Sequence, residues 1–154
     1  MKIEPLRYHM NLIGEIATLH QAEWVHFDSD FTVETRVAAL TNVAGHEKIP
    51  SIFVAIENSE FCGSAALVEQ DMDNHPELSP WLAAVFVKEA WRGRGVAKSL
   101  VQYCEREAKN SGIRKLYLFT EFASKLYSSL GWKTIESCLY KGVEVDVMCR
   151  ELGF

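Results

Sequence analysis

An apolar strand runs into a glycine-rich turn, and the turn runs straight into an amphipathic helix, over Val-Phe-Val-Lys-Glu-Ala-Trp-Arg-Gly-Arg-Gly-Val-Ala-Lys-Ser-Leu-Val at 85–101. This junction constrains the chain more than any other segment. Gly93 and Gly95 let the backbone take positive φ and come close to a ligand. Successive N–H groups in such a turn form an anion nest, and the free N–H groups of the helix start extend it. Arg92 and Arg94 add permanent positive charge. Two common phosphate-binding turns are excluded by spacing. A dinucleotide fingerprint needs a third glycine where Lys98 stands, and a P-loop needs a Gly-Lys-Ser/Thr ending that is absent.

The 154 residues suffice for one domain with its own core, and no linker or internal repeat divides 1–154. Sixteen basic and 21 acidic residues leave a net charge of −5. That balance argues against nucleic acid or an anionic membrane as partner and suits a cationic substrate. The longest apolar run, 81–87, is too short to cross a bilayer, and the charged N-terminal segment does not read as a signal peptide, so a cytoplasmic protein is expected. Cys62, Cys104, Cys138 and Cys149 are widely spaced and are expected to be reduced, buried thiols. The five histidines are scattered along the sequence, and no metal site is expected.

Hydrophobic periodicity predicts helices at 10–26, 31–44, 95–110 and 122–130. Strands are expected at 51–57 and 61–69, joined by an Asn58-Ser59 turn, and at 81–87 and 115–120. A final hairpin joins 132–140 to 143–150 through Lys141-Gly142, and its exposed edge could pair with a second copy in a homodimer. Residues 69–79 are polar and read as a loop. The order β-α-α-β-β-β-α-β-α-β-β predicts a mixed α/β (α+β) domain with helices on a central sheet.

The segment Arg92-Gly93-Arg94-Gly95-Val96-Ala97 resembles the Arg/Gln-x-x-Gly-x-Gly/Ala signature of the GNAT (Gcn5-related) acetyltransferases. Leu126-Tyr127-Ser128-Ser129-Leu130-Gly131-Trp132 resembles the Leu-Tyr-x-x-Leu-Gly-Phe block of the same family, and residues 80–87 look like the strand that precedes the signature. The resemblance covers nearly the whole chain. It implies a mixed, mostly antiparallel sheet with flanking helices, in which 81–87 and 115–120 form a parallel pair that splays apart around acetyl-CoA. Val85, Phe86 and Val87 would then run beside the pantetheine arm, which suits an extended, amide-bearing ligand. Arg92, Gly93, Arg94, Gly95, Val96, Ala97 and Lys98 would surround the pyrophosphate.

By the same resemblance the reaction is direct acetyl transfer to an amine, with Tyr127 as proton donor to the leaving thiolate. The other reading of Tyr127 is a core aromatic, flanked as it is by Leu126, Leu130 and Trp132. The glutamate that many members carry on the strand before the turn is missing, because 81–87 holds no ionisable residue. Glu121, Asp71, Asp73 and His75 are the candidate bases. Glu121-Phe122-Ala123 also stands where the family frequently has an asparagine, which removes one pantetheine contact. Cys104 lies on an apolar helix stripe, so an acetyl-cysteine route is not expected. The family's acceptor entrance maps to 24–31, where Trp24, Phe27 and Asp28 offer ring faces and charge to a cation, or merely anchor the loop. An N-acetyltransferase and a non-catalytic acyl-CoA sensor both fit the intact turn, with the acceptor open between a small cationic amine and a protein amine.

Overall fold

The computed structural model describes residues 1–153. Seven strands form one sheet: β1 (Lys2–Pro5), β2 (Ser51–Glu57), β3 (Glu60–Val68), β4 (Trp81–Val87), β5 (Lys115–Thr120), β6 (Lys133–Tyr140) and β7 (Val143–Glu151). Their spatial order is β1-β2-β3-β4-β5-β7-β6. Every neighbouring pair is antiparallel except β4 and β5. Four α-helices, α1 (Ile13–Trp24), α2 (Val33–Ala44), α3 (Val96–Asn110) and α4 (Ser124–Ser129), accompany the sheet. This is the element order read from the sequence. Several boundaries shift by one to three residues; the largest shift is at residues 10–12, which form a separate 3-10 turn, so the expected helix over 10–26 begins only at Ile13 and ends at Trp24.

Period-two alternation in β2 assigns the two faces of the sheet. Phe53 and Ala55 pack with Leu100, Val101 and Cys104 of α3, whereas Ile52, Val54 and Ile56 pack with Ile13, Ile16 and Leu40 of α1 and α2. The stripe on α3 is Val96, Leu100, Val101, Cys104 and Ala108, all buried. Each of its large apolar side chains contributes about 1.5–3 kcal/mol. A capping box at Thr32 and Thr35 starts α2. The β2–β3 and β6–β7 turns place Asn58, Ser59, Lys141 and Gly142 at positive φ, the twist that two-residue hairpins favour. Cys62, Cys104 and Cys149 are buried and all four thiols are free, but Cys138 is only half-buried, which corrects the expectation of four buried thiols.

β3 approaches α3 closely at Gly63. A Cβ there would lie 2.6 Å from the Phe86 carbonyl oxygen and 3.0 Å from Leu100 Cδ1. Because the first of these is backbone, the strand has no flexible atom to move aside. Gly63→Ala is therefore expected to lower stability by about 1–3 kcal/mol, read as a reduced urea midpoint at unchanged slope. An unchanged midpoint would contradict this packing.

Candidate functional site

The parallel pair at the sheet's centre is joined at one register position, Trp81 with Tyr117. Beyond it β4 and β5 diverge, as the sequence resemblance implies. On its other edge β4 is irregular too. Ser64 pairs with Phe86 and Ala66 with Ala83, so Ala84 and Val85 stand opposite Ala65 alone in a β-bulge. Ala84 takes a φ of 52°, unusual for a residue with a Cβ.

A buried polar chain holds this bulge. The Ser64 hydroxyl donates to the Ala84 carbonyl at 2.8 Å, which leaves its oxygen to accept from His20 Nε2 at 2.9 Å. His20 and Ser64 are both buried, and His20 packs against Trp24 and Phe86. Burial, helped by the Arg36 guanidinium, pulls the imidazole pKa down to about 3, so His20 is neutral. Neither residue was singled out from sequence. His20 sits four positions after the buried Ile16 on the inner face of α1, a helical spacing that marks it as an inward-facing polar group.

A cavity of about 730 Å³ opens beside the divergence. His20, Trp24, Phe27, Asp28, Asp71, Val85, Glu121 and Tyr127 all line it. Trp24 and Phe27 line the cavity and also pack on Phe86 and Phe119, so the anchoring contacts are present. Asp28 pairs with Lys141 at 2.6 Å, tying the α1–α2 loop to the β6–β7 turn. The Glu121 carboxylate accepts from His26 Nε2 at 2.9 Å. Tyr127 is buried, and its hydroxyl pKa is raised by burial and then by the neighbouring Cys104, so it remains a protonated donor. The Cys104 thiol is pushed up by burial as well, which removes it as a nucleophile.

Among the proposed bases, Asp71 and Glu121 reach the cavity wall, whereas Asp73 and His75 lie outside it. Asp73 is an exposed loop residue whose N–H meets the Tyr140 hydroxyl, and His75 is held between Glu77 and Glu136. Asp71 is half-buried. Desolvation and the Asp28 carboxylate push its pKa up to about 7, against a smaller opposing pull from Lys141.

The glycine turn leads from β4 into α3. Gly93 and Gly95 have φ of 76° and 78°, and open space surrounds both where a Cβ would be. Gly95 is the N-cap of α3 and supplies no side-chain oxygen, so no side chain caps the first-turn N–H groups. Arg92 Nε donates to the Val87 carbonyl at 3.0 Å, and Arg94 lies over the Trp91 ring. Lys98 is exposed on the first helical turn. The side chains of Phe86 and Val96 face the core, leaving only their backbone for a ligand.

Residues 48–134 match the family model described as an acetyltransferase (GNAT) domain. The chain belongs to the GNAT acetyltransferase family. An N-alpha-acetyltransferase 30 of Schizosaccharomyces pombe is 32% identical over 93 residues, a match spanning 58% of this GNAT chain and 58% of that relative's length. An aminoglycoside 6'-N-acetyltransferase solved with coenzyme A superposes with a TM-score of 0.80 at 16% identity, covering 100% of this chain and 98% of that one. An acetyltransferase from Salmonella typhimurium solved with acetyl-CoA gives 0.72 at 17% identity, covering 100% and 95%. At those identities the two structures establish a common GNAT fold. Among the described residues, no helix is long and apolar enough to cross a membrane.

His20 and Asp71 give opposite pH signatures. The His20 pKa is depressed in the folded state, so its contribution to stability is lost as pH falls from about 6.5 toward 3. The Asp71 pKa is raised, so its contribution is lost as pH rises from 3.8 through 7. The two oppose one another between about pH 4 and 6.5. Relative to His20→Gln, the wild type should lose about 1.4 kcal/mol per pH unit on acidification across that window; relative to Asp71→Asn it should gain similarly. Urea unfolding at several pH values measures both, and parallel curves would contradict the assignment.

Proposed function

We propose that this GNAT domain transfers the acetyl group of acetyl-CoA to a primary amine on a cationic acceptor. One observation carries the reading: the same strand, β4, leads into the uncapped glycine turn at one end of the gap and borders the acidic, aromatic cavity beside it. A diphosphate suits the turn, and an extended amide arm suits the edge of Val85–Val87 that β5 leaves open, where Arg92 already takes the Val87 carbonyl. Glu23, Asp28, Asp71 and Glu121, with the Trp24 and Phe27 rings, offer charge and ring faces to an ammonium-bearing acceptor.

The amine lone pair would attack the thioester carbonyl, forming the C–N bond as the C–S bond breaks. Tyr127 would give its proton to the departing sulfur and regain one, directly or through water, from the acylated nitrogen as it becomes the neutral amide. Asp71, ionised above about pH 7 beside Asp28 and Lys141, would take the proton from the acceptor ammonium directly or through water. Holding the two reactants together supplies up to about 7–11 kcal/mol, more than either proton transfer.

Free-thiol release from acetyl-CoA across a panel of di- and polyamines, amino sugars and peptides tests the reading. Turnover with at least one amine is expected. Saturable acetyl-CoA binding with no turnover on any acceptor would favour the acyl-CoA sensor instead. For an active acceptor, Tyr127→Phe should lower kcat by about 10²-fold or more with little change in acetyl-CoA affinity. Asp71→Asn should lower kcat comparably and abolish a limb that rises through about pH 7 in the wild type. Unaltered rates in both variants would remove these residues from the reaction.

A further inference from the structure

Loop 69–80 and the outer strand β6 are brought together at a point outside the cavity. His75 Nε2 lies 2.8 Å from Glu136 Oε1, and its other nitrogen, Nδ1, lies 2.8 Å from Glu77 Oε1. Cys138 joins Glu136 on the same side of the strand, two residues on, and its thiol hydrogen-bonds the Glu136 carboxylate. The potential ligand atoms of His75, Glu136 and Cys138 all lie within 4.8 Å of one another. The histidines are scattered along the sequence, yet the fold brings His75 beside two side chains of ligand type. His75 lies 61 residues from Glu136, and only the sheet order brings them together.

We propose that His75 Nε2, the Glu136 carboxylate and the Cys138 thiolate form a zinc site, with Glu77 holding the His75 ring. Nitrogen, oxygen and sulfur from these three residue types is a donor set zinc accepts, and softer thiolate ligation disfavours magnesium and calcium. A neutral imidazole, a carboxylate and a thiolate together balance a dication. Zinc bonds of about 2.0–2.3 Å in a tetrahedron put ligand atoms about 3.3–3.7 Å apart, so Glu136, 2.8 Å from the ring nitrogen, would swing away from it. Glu136 is exposed and can make that movement, whereas His75 and Cys138 are half-buried and Cys138 packs against the cluster of Met72, Trp81 and Tyr140.

The Glu77 contact is a second and separate observation. The Glu77 carboxylate keeps a proton on Nδ1, while Nε2, which donates to Glu136 in the metal-free protein, would release its proton to the solvent on binding zinc, as the Cys138 thiol would. Carboxylate–histidine pairs of this kind typically orient metal-binding rings. A fourth position is left for water or another ligand. The bound ion would fasten loop 69–80, which carries Asp71 at the cavity wall, to the edge strand. This inference does not depend on the acetyl-transfer reading.

The test is titration of the metal-free, reduced protein with zinc in competition with a chromophoric chelator, and in parallel with cobalt(II). One equivalent should bind, and the cobalt form should show thiolate-to-metal charge-transfer absorption. Cys138→Ser should abolish that absorption and weaken zinc binding at least about 100-fold, and His75→Ala should weaken it similarly. Glu77→Gln should weaken it about 10–100-fold while retaining the absorption. All three substitutions are at the surface, and circular dichroism verifies folding. Absence of saturable binding, or equal affinity in wild type and in both Cys138→Ser and His75→Ala, would overturn the site and leave His75 with its two carboxylates as an ion-pair cluster.

Discussion

The parting of β4 from β5 after a single register pair is the constraint on which the site depends. Parallel neighbours normally satisfy each other's backbone groups along their length. Here Val85–Val87 lacks that partner on the β5 side. An unpaired central edge is a liability unless a ligand or water completes it. The bulge at Ala84 contributes to the altered strand course, and the Ser64 hydroxyl, backed by His20, secures its carbonyl. Two buried polar residues thus shape the wall of the cavity without being part of a charged catalytic constellation.

The electrostatics divide along the gap. The chain carries a net charge of −5, yet Arg92, Arg94 and Lys98 surround the glycine turn, while Glu23, Asp28, Asp71 and Glu121 line the cavity. A helix start without a side-chain cap favours an anion at one end. Clustered carboxylates in a partly desolvated pocket favour a cation at the other, and there desolvation, with the Asp28 carboxylate, raises the Asp71 pKa. Tyr127 is kept neutral by burial between these regions, the state in which a phenol donates a proton. On the proposed reading, an anionic substrate portion would sit at the turn and a cationic one in the cavity, with their reacting ends meeting between the two.

Local patterns made much of the fold legible. The α3 stripe, the two tight hairpins and the strand–turn–helix junction are set by spacing within about fifteen residues, so periodicity and glycine placement reveal them. Periodicity and turn signals gave the element order as well, and the resemblance at 92–97 and 126–132 added the parallel pair that splays apart. What escaped was whatever depends on contacts across the sheet. Ser64 and His20 meet across 44 residues, and nothing near either announces the other. Asp71, Asp73 and His75 were indistinguishable as polar loop residues; only folding puts Asp71 at the cavity and carries His75 to β6. The missing strand glutamate was readable, but which loop carboxylate reaches the cavity depends on tertiary placement.

The central claim is that the glycine turn and the unpaired edge of β4 form one acyl-CoA site. Isothermal titration of acetyl-CoA into the purified protein, with CoA run separately, tests it most directly. Saturable heat at one equivalent for each, falling as salt rises because charged phosphate contacts are screened, is the predicted result. No heat from either ligand, with the protein folded, would contradict the claim.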